Sequence, residues 1–286
     1  MALFLNYEQE ALDHQLEPRT GVSDLERAMA RNAELAAAAL ELRTAADVSY
    51  GLGKWDKLDV YAAPGAGAPL LIFCHGGGWQ ARSKEDAALL APALTAAGIG
   101  LVTIDFEPVS AAHGLEQMVA QVRRAIAFIH ANAAAWGADP ANLHIAGHSS
   151  GAHLAAMQLA DGWQAELGLP ADTIKSAILL SGLYDLEPVR LSFRNQALRL
   201  SHYSARSLSP LHQLGHPRPL TVAWGDLETE EFQRQSRVMA EAAAGAGFMV
   251  AARAEPDCHH FNITLALLER DGSLYRRLMA QLGIQS

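Results

Sequence analysis

LHIAGHSSG, residues 143–151, joins a short apolar run to a glycine- and serine-rich turn. The apolar part, Leu143–Ala146, has the composition of a strand that is buried on both faces. The polar part, Gly147–Gly151, matches the pattern G-x-S-x-G, in which a serine stands on a sharp turn between a strand and a helix. An alanine-rich helical pattern follows at 150–160. The sequence therefore predicts that Ser149 is a nucleophile at the carboxyl end of a strand.

The rest of the chain repeats this alternation of strand and helix patterns. Apolar runs predict strands at 69–74, 98–104, 143–146, 176–180 and 220–223, and a last strand is expected at 248–254. Residues 48–50 and 57–61 alternate apolar and polar side chains on either side of the turn at 51–53, which predicts an antiparallel pair. Helical patterns occupy 22–43, 84–97, 114–136, 150–160, 229–245 and 262–282. We expect an α/β fold with a mainly parallel central sheet, helices on both faces and an active site at the carboxyl ends of the strands.

Residues 182–217 interrupt the alternation, because they show no clear period. A connection of this length is usually functional, so we expect a lid-like insertion after the sixth strand. The sequence contains no strong domain boundary, and a single domain is expected over 1–286.

Composition limits the functions that the chain can have. It has 286 residues, of which 50% are apolar and 19% charged, and this composition excludes disorder as the main state. The net charge of −9 disfavours nucleic acid or an anionic membrane as the partner. Two cysteines, the lack of a basic leader and the lack of a spanning apolar run predict a cytoplasmic protein. The expected partner is a small-molecule substrate. A homodimer is compatible with the sequence, which does not fix the oligomeric state.

A second motif, HGGGW at 75–79, follows the strand predicted at 69–74. Glycines leave their backbone N–H groups accessible, and hydrolysis of an acyl group needs such donors for the oxyanion that develops. We expect Gly76 and Gly77, completed by the N–H of Ser150, to form an oxyanion hole. His75 is expected to be structural.

A nucleophilic serine needs a histidine base and a carboxylate that orients it, in the chain order serine, acid, histidine. His259 and His260 both follow the last predicted strand. The acid should follow the strand at 220–223, although carboxylates are also common at the start of a helix. The candidates are Asp226, Glu228, Glu230 and Glu231, of which Glu228 is the first choice and Asp226 the second.

Aromatic and basic side chains near these motifs are candidates for substrate binding. Four aromatic residues are predicted to line a substrate pocket, with ordinary core packing as the alternative: Trp79, Tyr184, Phe193 and Phe261. Three arginines of the insertion could pair with a substrate carboxylate, although a solvated helix face is expected for at least two of them: Arg190, Arg194 and Arg199. No metal site and no cofactor are expected, because the sequence has no C-x-x-C motif and spaces its histidines unsuitably.

Five segments together resemble the kynurenine formamidase (arylformamidase) family, a group of α/β-hydrolases related to hormone-sensitive lipase. They are HGGGW at 75–79, GHSSGAHLAAM at 147–157, SGLYDLEPV at 181–189, EFQRQS at 231–236 and HHFNI at 259–263. The segments LDHQLEPRTGV at 12–22 and DVSYG at 47–51 are also similar, so the resemblance extends from about residue 7 to 265. It implies hydrolysis of N-formyl-L-kynurenine to L-kynurenine and formate, through a formyl-serine intermediate.

The resemblance also assigns site residues. It places the nucleophile at Ser149 and the oxyanion loop at Gly76 and Gly77. It selects His260, because the family's histidine is followed by phenylalanine, and it places the acid at Glu228, three residues after the glycine that ends the seventh strand.

The chain departs from the family pattern at three positions. Glu228 stands where aspartate is usual, Ser150 where alanine is frequent, and Asn262 where the family commonly has aspartate. Asp226 therefore remains an alternative acid. A carboxylesterase or another aryl-amide or carbamate hydrolase is the alternative activity, and a catalytically silent binding protein is a further one.

Overall fold

A central sheet of eight strands organises the fold, in a computed structural model that describes residues 2–284. The strands are β1 (Ala45–Ser49), β2 (Lys57–Tyr61), β3 (Ala68–Cys74), β4 (Gly100–Ile104), β5 (Ala138–His148), β6 (Ile174–Leu180), β7 (Pro219–Gly225) and β8 (Met249–Glu255). Their order is β1-β2-β4-β3-β5-β6-β7-β8. β1 and β2 pair antiparallel, β2 is antiparallel to β4, and the pairs from β4 to β8 are parallel. The predicted α/β class, with its mainly parallel sheet, is confirmed.

Eleven α-helices are assigned within residues 2–284. They are α1 (Gln9–Gln15), α2 (Leu25–Ala39), α3 (Ala91–Ala96), α4 (Leu115–Asn132), α5 (Ser150–Met157), α6 (Trp163–Glu166), α7 (Leu186–Leu191), α8 (Asn195–Leu198), α9 (His202–Ser207), α10 (Glu230–Gly245) and α11 (Ser273–Gln281). Short 3-10 helices lie at Leu40–Leu42, Lys84–Leu90, Ala133–Trp136, Pro210–His212 and Ile263–Leu267. Among the described residues, none of these helices is both long and apolar enough to cross a membrane.

Strand β3 shows why its sequence is apolar at every position. Leu70, Ile72 and Cys74 belong to one hydrophobic core, with side chains of α4, α5 and α10. Leu71 and Phe73 belong to a second core, with side chains of α3 and α11. Because successive side chains of a strand point to opposite faces, a sheet covered by helices on both faces needs an unbroken apolar run.

The predicted helix at 262–282 is wrong as a single element. The structure has a 3-10 helix at Ile263–Leu267 and a separate α11 from Ser273. Gly272 lies between them as the N-cap residue of α11. A glycine inside a helical pattern weakens the helix, and here it separates two elements.

Residues 182–217 form α7, α8 and α9 together with the 3-10 helix Pro210–His212, between β6 and β7. Several of their apolar side chains are buried: Leu183, Leu186, Val189, Leu198, Ala205 and Leu208. The insertion therefore packs on the body of the molecule along much of its length.

Candidate active site

Ser149 lies on a tight turn between β5 and α5, with backbone angles φ 57° and ψ −125°. The strand and the helix meet closely there: a Cβ added to Gly151 would lie 2.1 Å from the carbonyl oxygen of Cys74, and one added to Gly147 would lie 2.2 Å from that of Gly151. Only glycine fits at these two positions. The pattern G-x-S-x-G thus produces a strained turn that presents the hydroxyl of Ser149 at the carboxyl end of β5.

Three side chains that are far apart in sequence form one chain of hydrogen bonds. His260 Nε2 lies 2.9 Å from Ser149 Oγ, and His260 Nδ1 lies 2.6 Å from Glu228 Oε1. Because a carboxylate only accepts, Nδ1–H donates to Glu228 and the lone pair of Nε2 faces the serine hydroxyl. Glu228 Oε2 also accepts from the backbone N–H of Gly225, at 3.1 Å. All three side chains are buried.

Burial shifts the pKa values of His260 and Glu228 in this series of hydrogen bonds. It lowers the pKa of His260 below the usual histidine value, and the neighbouring guanidinium of Arg194 lowers it further. The imidazole is therefore uncharged at neutral pH and its Nε2 can accept a proton. Burial raises the pKa of Glu228, while the hydrogen bond from Gly225 favours its charged form.

Of the other candidates for base and acid, none takes part in this chain of hydrogen bonds. His259 Nε2 lies 2.9 Å from Asp24 Oδ1 and so binds the N-terminal part of the molecule. Asp226 is exposed. Glu231 is buried and accepts from Arg234 at 2.7 Å. The structure thus joins His260 to Glu228 where the residue pattern alone left alternatives.

The HGGGW loop lies directly beside Ser149. Gly77 has φ 121°, and a Cβ there would lie 2.0 Å from the carbonyl oxygen of Ala81, so this turn requires glycine. A Cβ on Gly76 would lie 3.3 Å from that of Ser149. Within residues 2–284, the backbone N–H groups of Gly76, Gly77 and Ser150 have no hydrogen-bond acceptor. These donors are therefore free to bind an anion beside the hydroxyl of Ser149.

His75, at the start of this loop, is buried and stacks on the ring of Phe106 at 4.3 Å. Its Nδ1–H donates to the carbonyl oxygen of Gly76, at 2.7 Å. Burial lowers the pKa of His75 to about 4, so it is neutral and supports the loop.

A cavity of about 540 Å³ opens above Ser149 and His260. This volume falls within the range of roughly 300–1,000 Å³ that small-molecule sites occupy. Phe193 and Phe261 line it, as predicted from the sequence. Apolar side chains from other elements complete its wall: Met29, Phe73, Leu89 and Leu90.

Trp79 and Tyr184 do not line this cavity, so their prediction as pocket residues is wrong. Both are buried in the core. The indole N–H of Trp79 donates to His153 Nδ1, at 3.2 Å. The hydroxyl of Tyr184 accepts from the backbone N–H of Gly182, at 3.2 Å. Ordinary core packing, the alternative reading of their sequence context, describes both residues.

The N-terminal segment, residues 9–32, covers part of the cavity, which sequence reasoning missed. Five of its side chains line the cavity: Glu17, Pro18, Arg19, Met29 and Asn32. Residues 182–217 contribute two, Phe193 and Arg194. The polar segment LDHQLEPRTGV, residues 12–22, resembles the family and was the sequence feature that could have indicated this part of the cavity wall.

Hydrogen bonds tie the N-terminal segment to the loops that carry Glu228 and His260. Thr229, the residue after Glu228, donates through Oγ1 to the carbonyl oxygen of Gln15, at 2.6 Å. Asn32 Nδ2 donates to the carbonyl oxygen of Phe261, the residue after His260, at 2.7 Å.

Within residues 2–284, no group of three or more His, Cys, Asp or Glu side chains is arranged to hold a metal ion.

Comparison with known proteins agrees with the geometry. Residues 58–174 match the BD-FAE family model. A putative thioesterase from Silicibacter sp. TM1040 superposes with a TM-score of 0.81 over 95% of this chain and 98% of that one, at 24% sequence identity. Fold and site together define the chain as an α/β-hydrolase.

Two curated relatives identify the family more closely. The kynurenine formamidase of Danio rerio is 32% identical over 249 residues, which cover 84% of this chain and 83% of that protein. The kynurenine formamidase of Salmo salar is 32% identical over 250 residues, with the same coverage. The chain belongs to the kynurenine formamidase family, as its sequence motifs suggested.

Proposed function

We propose that the protein is a serine hydrolase that cleaves N-formyl-L-kynurenine to L-kynurenine and formate. The observation that carries the proposal is the hydrogen-bonded series Ser149–His260–Glu228 beside free backbone donors, in a protein of this family. Ser149 is the nucleophile, His260 the general base and acid, and Glu228 the residue that orients the imidazole.

In the first step, Ser149 Oγ attacks the formyl carbon while its proton passes to His260 Nε2. The carbonyl oxygen becomes an oxyanion, which accepts hydrogen bonds from the N–H groups of Gly76, Gly77 and Ser150. Glu228 stabilises the imidazolium that forms.

In the second step, the imidazolium of His260 donates its proton to the aryl nitrogen and the C–N bond breaks. L-Kynurenine leaves as the free aryl amine, and the formyl group remains as an ester on Ser149. Water then attacks this ester with His260 again as base, which releases formate and restores the serine.

The decisive test is steady-state hydrolysis of N-formyl-L-kynurenine by the purified protein, followed by the absorbance of kynurenine. We expect kcat/KM in the range of roughly 10⁴–10⁸ M⁻¹s⁻¹. Ser149→Ala should lower kcat by at least about 10³-fold and leave the circular dichroism spectrum unchanged. Near wild-type turnover by this variant would refute the assignment of the nucleophile.

The same site chemistry also suits esters and other aryl amides, so substrate preference needs a direct comparison. Weak turnover of N-formyl-L-kynurenine beside rapid hydrolysis of p-nitrophenyl acetate would support a carboxylesterase instead. A fluorophosphonate probe tests for a silent binding protein, because an active site serine reacts with it covalently. An intact protein that remains unlabelled would support that reading.

The cytoplasm is the compartment that we propose, because Cys74 and Cys258 are both free thiols and the expected substrate is a small soluble molecule. A homodimer stays a prediction, which size-exclusion chromatography with light scattering would test.

A further inference from the structure

The cavity above Ser149 contains charged side chains that the hydrolysis itself does not use. Arg82 lines it and pairs with Asp86, at 2.8 Å. Arg19 lines it too and is exposed. Arg194 and Glu17 are only partly exposed, and neither forms an ion pair with any side chain of residues 2–284. A cation and an anion thus face the cavity, and neither has a direct ion-pair partner among the described residues, although Glu17 acts on Arg194 at longer range.

The guanidinium of Arg194 is held in place but not neutralised. Its Nε and Nη2 donate to the carbonyl oxygen of Leu16, at 2.9 and 2.6 Å. It also lies over the ring of Phe193, with Cζ 5.2 Å from the ring centre. A Cβ added to Gly78 would lie 3.2 Å from Nη1, so this nitrogen is next to the HGGGW loop. Nη1 is left as a fixed donor at the edge of the cavity.

Glu17 follows Leu16, the residue that accepts from Arg194, so the two charges are neighbours. Its Oε1 accepts from the backbone N–H of Arg19, at 3.2 Å. Both charges also act on His260: Arg194 lowers the pKa of the imidazole and Glu17 raises it. The two side chains are therefore within electrostatic reach of the reacting centre.

We propose that Arg194 and Glu17 form a head-group subsite, in which Arg194 binds the carboxylate and Glu17 the ammonium group of an α-amino acid substrate. This subsite rests on the proposed function, because the reacting formamide must lie at Ser149 while the amino acid group reaches the two charges. A guanidinium with fixed donors is suited to a carboxylate, and a zwitterion brings a direct ionic contact to each of the two side chains.

The other two arginines of the insertion do not serve this role. Arg190 binds Glu187 through two hydrogen bonds, at 2.9 and 2.7 Å, and does not line the cavity. Arg199 is exposed and also lies outside the lining. Arg190 is thus a matched control for Arg194 in the same segment.

The test compares two substrates that share the reacting group. N-Formyl-L-kynurenine carries the amino acid group, whereas 2′-formamidoacetophenone has the same aryl formamide and ketone without it. The quantity measured is the ratio of kcat/KM for the first substrate to kcat/KM for the second. We expect Arg194→Gln to lower this ratio roughly 10- to 100-fold, mainly through KM for the charged substrate, because one charge-assisted interaction is lost.

Three further variants sharpen the test. Arg194→Lys should restore part of the ratio, since it keeps the charge and loses the planar donor geometry. Glu17→Gln should lower kcat/KM for N-formyl-L-kynurenine more than kcat/KM for the analogue of this substrate that lacks the α-amino group. Arg190→Gln should leave the ratio unchanged.

Equal losses on both substrates in Arg194→Gln would overturn the subsite and leave Arg194 as a support for Leu16. An inactive wild-type protein on N-formyl-L-kynurenine would instead refute the proposed function. The subsite is then decided by inhibition of p-nitrophenyl acetate hydrolysis with L-kynurenine. A Ki that rises roughly 10-fold or more in Arg194→Gln supports it, and an unchanged Ki overturns it.

Discussion

The imidazole of His260 has a fixed tautomer because its two nitrogens have different partners. Glu228 takes the proton of Nδ1, so Nε2 is the nitrogen left to accept from Ser149. Without a carboxylate at Nδ1, the imidazole could place its proton on Nε2 and could not act as base. In the proposed mechanism, Glu228 therefore orients and stabilises the imidazole of His260.

Replacing Glu228 by glutamine tests that role, because the amide keeps the shape and loses the charge. We expect Glu228→Gln to lower kcat by about 10⁴-fold, as loss of the acid does in other triads. Asp226→Asn is the control and should stay within about 3-fold of wild type, since surface changes away from a site have little effect. Steady-state assays with p-nitrophenyl acetate measure both, and similar losses in the two variants would contradict the assignment of the acid.

Sequence patterns could place Ser149, His260 and Glu228 because each follows a recognisable strand. The direction of a side chain is not encoded in the same way. Trp79 directly follows three glycines of the oxyanion loop and has φ 62°, yet its ring lies in the core. Tyr184 lies in a motif typical of the family and is completely buried. Adjacency to a motif therefore predicted a place in the pocket wall for two residues that lie outside the cavity lining.

One histidine joins the oxyanion loop, α5 and the insertion. His153 Nδ1 accepts from the indole N–H of Trp79, and its Nε2–H donates to the carbonyl oxygen of Leu208, at 2.8 Å. Burial lowers the pKa of His153 to about 4, so at neutral pH it can accept at one nitrogen and donate at the other. The bond between Trp79 and His153 ties the HGGGW loop to α5, the helix that directly follows Ser149.

Trp79→Phe removes the donor and leaves Nδ1 of His153 buried without a partner. We expect the free energy of unfolding to fall by about 1–3 kcal/mol and kcat for p-nitrophenyl acetate to fall by about 10-fold, with a smaller change in KM. Urea denaturation and steady-state kinetics measure the two effects. Trp136→Phe, at a tryptophan that packs on Phe128 outside the site, is the control for kcat. A Trp79→Phe enzyme with unchanged kcat would show that the loop does not need this bond.

The central strands were predictable because burial on both faces leaves an unbroken apolar run, as in β3. Strands β1 and β2 were predictable because apolar and polar residues alternate around a turn. Helix α1 was not predicted, because it has only seven residues and one buried side chain, Leu12. Its neighbours come from far along the chain: Gln9 donates to the carbonyl oxygen of Leu191, and Asp13 accepts from the backbone N–H of Phe193. Local periodicity cannot report contacts of this kind.

Across the whole molecule, buried histidines couple stability to pH. Burial lowers the pKa of five of them: His75, His144, His148, His153 and His260. Below about pH 6.5 the unfolded chain binds protons that these folded side chains do not. Stability is therefore complete above that pH and decreases as the pH falls toward 4. Asp105 and Glu228, whose pKa burial raises, oppose part of this loss.

His144→Gln isolates one of these contributions away from the site. The ring of His144 contacts Ser176 at 2.7 Å and Asn142 at 2.9 Å, and burial lowers its pKa to about 4. We expect the free energy of unfolding of the wild type to fall more steeply between pH 6.5 and 4 than that of the variant, by about 1.4 kcal/mol per pH unit. Urea denaturation at several pH values measures the slopes, and parallel slopes would contradict the prediction.

The N-terminal segment has a consequence for how the protein is made. Residues 9–32 are synthesised long before the residues that hold them, such as Thr229 and Phe261. The strands from β3 to β8 can be added to the sheet nearly in the order of synthesis, whereas this segment must wait for the far end of the chain. The wall that residues 9–32 give to the cavity can therefore be fixed in place only after residues 229–261 have been made.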